Sequence, residues 1–254
     1  MDIQKTGIIV QARMGSTRFP EKMMVPFYGD QRLIDVILDR IIHSNSNFPL
    51  ILATTNNPID DPLVDHVKQK KVEVYRGSEG NVLQRFISAA SKYNLSTIFR
   101  VCADNPFFDI QGTLKLLNFH LQSSADYTGY RMKDGSPTIT NHLGFWGEVV
   151  ELNALKEVAE KTEDQFYSEH VTNYLYNHSD EFNISLVDAP AKIGNRYDIR
   201  LTLDTHEDYE IQSALYAGLM KDNISVTPAN IIEWLDQHPD FIRKMQQQIN
   251  TNQK

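Results

Sequence analysis

Three cations lie close together near the start of the chain, directly after its first apolar run. They are Arg13, Arg18 and Lys22, in the segment QARMGSTRFPEK at residues 11–22. Guanidinium and ammonium groups donate hydrogen bonds to phosphate oxygens, and Gly15 lets backbone N–H groups turn toward an anion. The segment therefore predicts a loop that binds a triphosphate. The alternative is a surface loop whose cations pair with nearby carboxylates.

The glycine spacing in this segment excludes two common phosphate-binding motifs. The G-x-x-x-x-G-K-[ST] pattern of a P-loop is missing, and so is the G-x-G-x-x-G turn of dinucleotide-binding proteins. If the segment binds a triphosphate, it does so with a loop of another type.

Two aspartates stand where predicted strands end. Asp104 follows the run TIFRVCA, and Asp204 follows IRLTL. Ligands of open α/β sheets bind beyond the carboxyl ends of the strands, and two carboxylates there suit Mg²⁺, which also takes waters and substrate phosphates. Either aspartate alone suits a turn or a helix N-cap, but together with the basic loop they predict a metal–triphosphate site. Arg100 and Arg200 precede them by four residues on the same strand face, and either balance the carboxylates or contact the substrate.

The elements that would position these groups follow an alternation of apolar runs and helical periodicity, which predicts βαβ units and a mainly parallel α/β sheet. Strands are predicted over residues 7–12, 49–55, 72–77, 97–104, 182–189 and 198–204. Helices are predicted over residues 32–43, 60–70, 81–93, 111–122, 151–161, 165–177 and 206–220, with shorter ones to the end. We expect one domain over residues 1–250, with a β-rich insertion over about 125–147 and a polar tail at 246–254.

The composition argues against several classes of protein. The formal net charge is -8, from 25 Lys and Arg against 33 Asp and Glu, so we expect neither a nucleic acid nor an anionic membrane as partner. No apolar run reaches the roughly 18 residues of a membrane span, and residues 1–12 do not resemble a signal peptide. The single cysteine, Cys102, excludes an intramolecular disulfide. We therefore expect a cytoplasmic protein.

Five segments of the chain resemble the sugar-activating cytidylyltransferases, the family of CMP-Kdo synthetase and CMP-acylneuraminate synthetase. The similarity is greatest to the branch typified by the spore coat polysaccharide biosynthesis protein F. In chain order the segments are QARMGSTRFPEKMM, YRGSEGNVLQRF, FRVCADNPFFD, SEHVTNYLY and RLTLDTHEDYE. Each match alone is weak, but five in the order of the family are specific.

The resemblance implies a Rossmann-like, GT-A-like nucleotidyltransferase fold, which is a three-layer sandwich around a mainly parallel sheet. It also implies the reaction, in which CMP passes from CTP to an acidic sugar, such as a nonulosonate or a Kdo-like sugar, and pyrophosphate is released. Arg13, Lys22, Asp104 and Asp204 would be the catalytic residues. The two aspartates would be the ligands of Mg²⁺.

Further roles follow from the same resemblance. The residues expected to contact the nucleotide are Ala12, Arg13, Gly15, Ser16, Thr17, Arg18, Lys22, Thr54, Arg76, Gly77, Asn81, Val82 and Arg85. Glu169 and His170 are expected on the acceptor side, although a lone histidine in a helical segment also suits a structural role. Family members commonly pair, so we expect a homodimer. Tyr127, Tyr130 and Trp146 would line the sugar site or cover the dimer interface.

The chain departs from the pattern of the branch at a few positions. Asn81 and Gln84 stand where acidic residues are usual, and His206 stands where proline is frequent. The change of two carboxylates beside the expected base pocket leaves base or acceptor preference open. Two alternatives to a cytidylyltransferase follow: a glycosyltransferase that uses a nucleotide-sugar, and a non-catalytic nucleotide-binding module. A glycosyltransferase is disfavoured because no D-x-D motif stands at a strand end.

Overall fold

The computed structural model describes residues 5–44 and 46–252 of the chain. The strands, in chain order, are β1 (Thr6–Gln11), β2 (Pro26–Tyr28), β3 (Gln31–Arg32), β4 (Leu50–Thr55), β5 (Glu73–Gly77), β6 (Thr97–Cys102), β7 (Tyr127–Arg131), β8 (Glu148–Glu151) and β9 (Ile184–Asp188). The helices are α1 (Leu33–Ile42), α2 (Asp61–Gln69), α3 (Val82–Lys92), α4 (Ile110–Leu121), α5 (Leu152–Lys161), α6 (Gln165–Glu169), α7 (Asn173–Asn177), α8 (His206–Lys221), α9 (Pro228–Gln237) and α10 (Pro239–Thr251).

A seven-stranded sheet forms the centre of the protein, in the order β5-β4-β1-β6-β8-β7-β9. Strand β8 runs antiparallel to both of its neighbours, and the other neighbouring pairs are parallel. The strands β2 and β3 form a separate antiparallel pair. The predicted mainly parallel α/β sheet is confirmed. The carboxyl ends of β1, β4 and β6 share one edge, since these strands are parallel neighbours, and the predicted loop and Asp104 follow them there.

Strand β1 shows why the fold has three layers. Its residues from Thr6 to Val10 are buried without a break, as expected of a parallel strand with helices on both faces. Ile8 and Val10 pack into the cluster that contains the apolar face of α1, whereas Ile9 packs with α3 residues such as Phe86. Successive side chains of a strand point to opposite faces, so one continuous apolar run supplies both cores.

The predicted strand over residues 198–204 is wrong, because within the described part of the chain this segment has no regular secondary structure and joins no sheet. Its N–H groups bind two different segments: those of Leu201 and Thr202 donate to the His142 carbonyl, and that of Leu203 donates to the Asp104 carbonyl at 2.7 Å. A ladder needs one continuous partner strand, and here there is none. The segment nevertheless brings the chain after Leu203 to the end of β6.

The predicted helix over 165–177 is divided into α6 and α7. His170 has a non-helical backbone (φ -103°, ψ 73°), and the side chain of Thr172 is turned inward to the buried carboxylate of Glu148. The side-chain contact of Thr172 holds this break in place. As a result, Glu169 ends α6, and His170 lies in the turn between α6 and α7.

Two further regions differ in detail from the sequence prediction. Residues 125–147, predicted as a β-rich insertion, contribute β7 to the main sheet and then a 3₁₀ turn at Thr138–Thr140. Residues 246–251 of the predicted polar tail continue α10, whose Met245 is buried at 1% exposure. Most of the predicted tail is therefore helical, and α10 packs on α8. Residues 253–254 of the tail lie outside the described residues. None of the helices in the described ranges is long and apolar enough to cross a membrane.

Candidate active site

The segment after β1 forms a tight loop around Met14. The carbonyl oxygen of this buried residue accepts hydrogen bonds from the N–H groups of Ser16 and Glu21, both at 2.9 Å. Glu21 has a left-handed backbone (φ 60°), a conformation that costs a non-glycine residue about 1–2 kcal/mol. A strained residue next to Lys22 indicates that the loop is held in shape by its surroundings.

Asp60 is the residue that anchors this loop from behind. One carboxylate oxygen accepts from the N–H of Met14 at 2.7 Å, and the other accepts from Thr54 Oγ1 at 2.7 Å and from the N–H and hydroxyl of Thr55 at 3.0 and 2.5 Å. Burial alone would raise the pKa of Asp60, but these hydrogen bonds outweigh it and lower the pKa below 3.8. The carboxylate therefore stays charged and ties the end of β4 to the loop after β1.

The sequence does not reveal the role of Asp60, and Thr54, which is predicted to contact the nucleotide, has another partner. Thr54 is fully buried behind the loop and binds Asp60. The only signal for this contact is a pair of threonines at the end of a strand with a carboxylate five residues on. That pattern does not identify the N–H of Met14, 46 positions away, as the partner.

Lys22 lies between the two predicted metal ligands. Its Nζ atom is 3.6 Å from Asp104 Oδ2 and 3.7 Å from Asp204 Oδ1, and donates a hydrogen bond to the Leu203 carbonyl at 2.6 Å. Arg18 Nη2 lies 3.2 Å from Asp204 Oδ1. The loop and the two aspartates, predicted separately, therefore meet in one cluster. The cations of the loop thus contact carboxylates, as the alternative interpretation expects, and these carboxylates are the predicted metal ligands. Binding of a triphosphate stays a prediction.

Arg200 holds Asp204 from the interior. Its Nη2 lies 3.1 Å from Asp204 Oδ2, its Nε and Nη2 form a fork to Asp208 at 2.7 and 2.8 Å, and its Nη1 donates to His142 Nδ1 at 2.6 Å. Burial alone would lower the pKa of Arg200, but the bonds to Asp208 and then the charge of Asp204 raise it. Of the two roles that the sequence left open, the structure gives Arg200 that of balancing the carboxylates.

Arg100 pairs with a carboxylate other than Asp104. It forms an ion pair with buried Glu148, whose carboxylate also accepts from Tyr127 Oη at 2.5 Å and from Thr172 Oγ1 at 3.1 Å. Burial first, and then Glu148, raise the pKa of Tyr127 well above 10, so its hydroxyl remains a donor. Arg100 thus does not balance Asp104. Through Glu148 it is linked to Thr172, two residues after His170.

The cluster around Lys22 opens into a cleft with two lobes. The smaller lobe, of about 280 Å³, is lined by Gln11, Ala12, Arg13, Ser16, Thr17, Arg18, Lys22, Met23, Cys102, Asp104, Glu169 and Asp204. The larger lobe, of about 580 Å³, is lined by Phe166, Glu169 and His170 and by residues around Trp146. Both lobes are lined by Arg18, Asp104, Glu169 and Asp204. The two carboxylates therefore stand where the lobes meet.

Gly15 belongs to the loop but does not line either lobe. Its backbone is outside the left-handed region, and a Cβ atom there would lie 3.3 Å from Glu79 Oε1. The structure therefore gives no strict need for glycine at this position.

The segment expected to frame the base makes local contacts instead. Arg76 donates from Nε to the Thr55 carbonyl at 2.8 Å and pairs with Asp61 at 2.5 Å. Asn81 caps α3 by accepting from the N–H of Gln84 at 2.8 Å. Neither Arg76 nor Asn81 lines the cleft, and the same holds for Gly77, Val82 and Arg85.

Arg85 belongs to the same segment and interacts electrostatically with Arg13 of the loop. Its side chain is almost fully buried, and its Nη1 donates to the Ser78 carbonyl at 2.5 Å. Burial, followed by the nearby charge of Arg13, lowers its pKa to about 10. Arg85 therefore lies behind the loop, and the base contacts expected of residues 76–85 stay a prediction.

The three aromatic residues named on the acceptor side are not equivalent. Trp146 lines the larger lobe. Tyr127 and Tyr130 are buried inside the chain at 1% and 7% exposure, with Tyr130 Oη donating to the Gly112 carbonyl at 2.9 Å. Their rings are thus core residues and neither line a sugar site nor cover an interface.

The donor set at the junction of the lobes fits a Mg²⁺ ion. Within residues 5–44 and 46–252, no group of three or more His, Cys, Asp or Glu side chains is arranged to hold a metal. The two predicted ligands are the carboxylates of Asp104 and Asp204, hard oxygen donors beside a lobe lined by the loop cations. Mg²⁺ is commonly held in this way, by one or two carboxylates together with waters and substrate phosphates.

Comparison with known families decides the class of the protein. The family model described as cytidylyltransferase matches residues 7–242. The chain belongs to the cytidylyltransferase family. The predicted nucleotidyltransferase is thereby confirmed, and the alternatives of a glycosyltransferase and of a non-catalytic module are left without support.

The relatives of this cytidylyltransferase match it over nearly its full length. It is 36% identical over 240 residues to the spore coat polysaccharide biosynthesis protein SpsF of Bacillus subtilis, which covers 91% of this chain and 94% of that protein. A solved cytidylyltransferase from Leptospira borgpetersenii is 28% identical and has a TM-score of 0.81, with 94% of this chain and 96% of that chain covered. The predicted branch and the predicted fold are both confirmed.

A more distant structure shares the fold of this cytidylyltransferase. It is a CMP:2-keto-3-deoxy-manno-octonic acid synthetase solved in complex with CTP, with a TM-score of 0.62 and 13% identity over 84% of this chain and 99% of that chain. At this identity the likeness concerns the fold alone. The predicted three-layer Rossmann-like architecture accounts for it.

Proposed function

We propose that the chain is a Mg²⁺-dependent cytidylyltransferase that transfers CMP from CTP to an acidic sugar, releases pyrophosphate and serves surface-glycan assembly. The observation that carries the proposal is the cluster in which Lys22 lies between Asp104 and Asp204. This cluster stands between a small lobe lined by loop cations and a larger lobe that can hold a second substrate. Two joined lobes are what a transfer between a nucleotide and an acceptor requires.

The reaction is a displacement at the α-phosphorus of CTP. The acceptor hydroxyl oxygen forms a bond to that phosphorus while the bond to the oxygen of the leaving pyrophosphate breaks. The hydroxyl proton is lost in the same process. Glu169 lines both lobes, which supports its carboxylate as the group that accepts this proton.

The loop side chains bind and orient the triphosphate. Arg13 and Arg18 offer forked donors to phosphate oxygens, and Lys22 offers a point charge that is fixed by Leu203. Asp104 and Asp204 would hold Mg²⁺, which supplies positive charge to phosphate oxygens when bound. Transfer of this kind depends on positioning and charge neutralisation and needs no covalent nucleophile.

The substrates are proposed from the family and its relatives. CTP follows from the cytidylyltransferase family, and SpsF is named for polysaccharide biosynthesis in spore coats. An acidic sugar is proposed from the resemblance of five segments of the chain to the CMP-Kdo and CMP-acylneuraminate synthetases. The homodimer and the cytoplasmic location stay predictions.

The test is a measurement of pyrophosphate release by the purified protein with Mg²⁺. CTP, UTP, GTP and ATP are each combined with a sialic acid, with Kdo or with no sugar. We expect release with CTP only, and only when an acidic sugar is present. Release that does not depend on a sugar, or that is equal for all four nucleotides, would contradict the proposal.

A further inference from the structure

Phe166 is a large apolar side chain that contributes nothing to the core. Its ring is 48% exposed, although it lies in α6, a helix of five residues of which none is buried. An exposed phenylalanine is not unusual by itself. Phe119 of α4 is exposed to 46%, for example, but does not line the cleft. Phe166 differs because it lines the larger lobe.

The ring of Phe166 forms a small aromatic surface with His170. The two ring centroids are 4.8 Å apart with an interplanar angle of 54°, and the residues are four positions apart. The N–H of His170 donates to the Phe166 carbonyl at 2.9 Å, so the surface continues from Phe166 to the residue expected on the acceptor side. An apolar ring is thus presented to the lobe next to an imidazole.

Two hydrogen bonds hold α6, the helix that carries Phe166, at the cleft. The carboxylate of Asp164 caps α6 by accepting from the Phe166 N–H at 2.9 Å. Gln165 Nε2 donates to the Gly80 carbonyl at 3.2 Å and so ties α6 to the segment before α3. These bonds hold the backbone of α6 at the cleft, while the ring of Phe166 remains exposed.

The rest of the larger lobe combines aromatic and neutral polar groups with the charged side chains of Arg18, Arg100, Asp104, Glu169 and Asp204. Trp146 also lines it, and Thr138, Thr140 and Asn173 add hydroxyl and amide groups. Ligand pockets commonly pair aromatic walls with a few polar groups that fix orientation. A sugar ring has this same mixture, with C–H bonds on its faces and hydroxyl groups around its edge.

We infer that Phe166 is the platform on which the sugar ring of the acceptor lies, and that it sets acceptor affinity. The inference rests on the proposed function and names the part of the site that recognises the second substrate. Phe166 lines the larger lobe and not the lobe of the phosphate loop, so its loss acts on the acceptor and not on the triphosphate. The face of the ring covers the C–H face of the sugar and excludes water from it.

The test compares Phe166→Ala with Phe119→Ala, the same substitution in an equally exposed phenylalanine outside the cleft. Calorimetry measures the binding of N-acetylneuraminic acid and of Kdo to the protein with Mg²⁺ and a non-hydrolysable CTP analogue. We expect Phe166→Ala to weaken binding of the accepted sugar about tenfold and to leave the Kd of the CTP analogue unchanged. Phe166→Tyr should restore binding and Phe119→Ala should have no effect.

The outcomes separate this inference from the proposed function. Equal sugar binding by wild type and Phe166→Ala would overturn the platform while leaving the reaction intact. A weaker Kd for the CTP analogue alone would also overturn it, because the ring would then stack on the base. Sugar binding that depends on Phe166 without any pyrophosphate release would support the platform and contradict the reaction. Failure of wild type to bind either sugar would overturn both.

Discussion

The ammonium group of Lys22 donates a hydrogen bond to the carbonyl oxygen of Leu203 at 2.6 Å, across 181 positions of sequence. This bond joins the loop after β1 to the segment before α8. Because the Lys22 side chain is only 9% exposed, its charge is held inside the cleft and near both aspartates. The protein thus builds one charged site from three segments of the chain.

Replacement of Lys22 by Ala should abolish most turnover. The substitution removes the positive charge between Asp104 and Asp204 and the link to Leu203, so we expect kcat to fall about 100-fold or more. The measurement is the rate of pyrophosphate release at saturating CTP and sugar. Lys68→Ala, at an exposed lysine of α2, is the matched control and should retain full activity. A Lys22→Ala protein with the kcat of wild type would remove Lys22 from the catalytic site.

Arg13→Ala should weaken CTP binding, and Arg13→Lys should restore only part of it. The guanidinium can donate two parallel hydrogen bonds to phosphate oxygens, whereas an ammonium is a point charge. We expect the Kd for CTP to rise about tenfold or more in the alanine variant, measured by calorimetry. The control for the loss of one positive charge is Arg243→Ala, at an exposed position of α10. Identical CTP affinities for Arg13→Ala and wild type would exclude the triphosphate role of the loop.

Asp60→Asn should destabilise the protein at neutral pH by about 2–3 kcal/mol, since a buried carboxylate with four donors loses its charge. The folded pKa of Asp60 lies below its unfolded value of about 3.8. Its stabilisation is therefore present above that value and is lost as the pH falls through the folded pKa.

The measurement for Asp60 is urea unfolding of wild type and Asp60→Asn at pH values from about 7 down to about 3. The difference in the free energy of unfolding should be constant above about pH 5 and should shrink below about pH 4. Asp65→Asn, at an exposed position of α2, should show no such difference. A difference that grows toward low pH would have the wrong sign for this account.

Arg200→Lys should impair both stability and the use of metal. Lysine cannot form the fork to Asp208 and hold Asp204 together, so we expect a lower melting temperature and a higher Mg²⁺ concentration for half-maximal turnover. The matched control is Arg196→Lys, because Arg196 forms a fork to Asp198 outside the cleft. If the Mg²⁺ dependence of Arg200→Lys equals that of wild type, Arg200 does not position Asp204.

Part of the site follows directly from the sequence. The basic loop and Asp104 each follow a predicted strand, and these strands alternate with helices. The carboxyl ends of parallel neighbouring strands meet at one edge of the sheet. Asp204 was also expected at this edge, and it is there, although the residues before it form no strand. Residue types and strand order were enough to bring the charges together.

Contacts that depend on tertiary partners were not predictable. Asp60 binds the Met14 N–H and Glu148 binds Arg100, and neither pair has a periodic or motif signature. Arg76 fits a family motif, but this motif does not show that the guanidinium of Arg76 forms an ion pair with Asp61. The sequence indicates which groups are available, and packing decides which of them pair.

The most direct test of the central claim is the effect of Asp104→Asn and Asp204→Asn on chemistry and on binding. Each variant keeps the size of the side chain and removes a charge expected to hold Mg²⁺ at the phosphates. We expect sugar-dependent pyrophosphate release to fall at least about 100-fold in each, while calorimetry in the absence of metal still detects CTP binding. Turnover at the level of wild type in either variant would contradict the account.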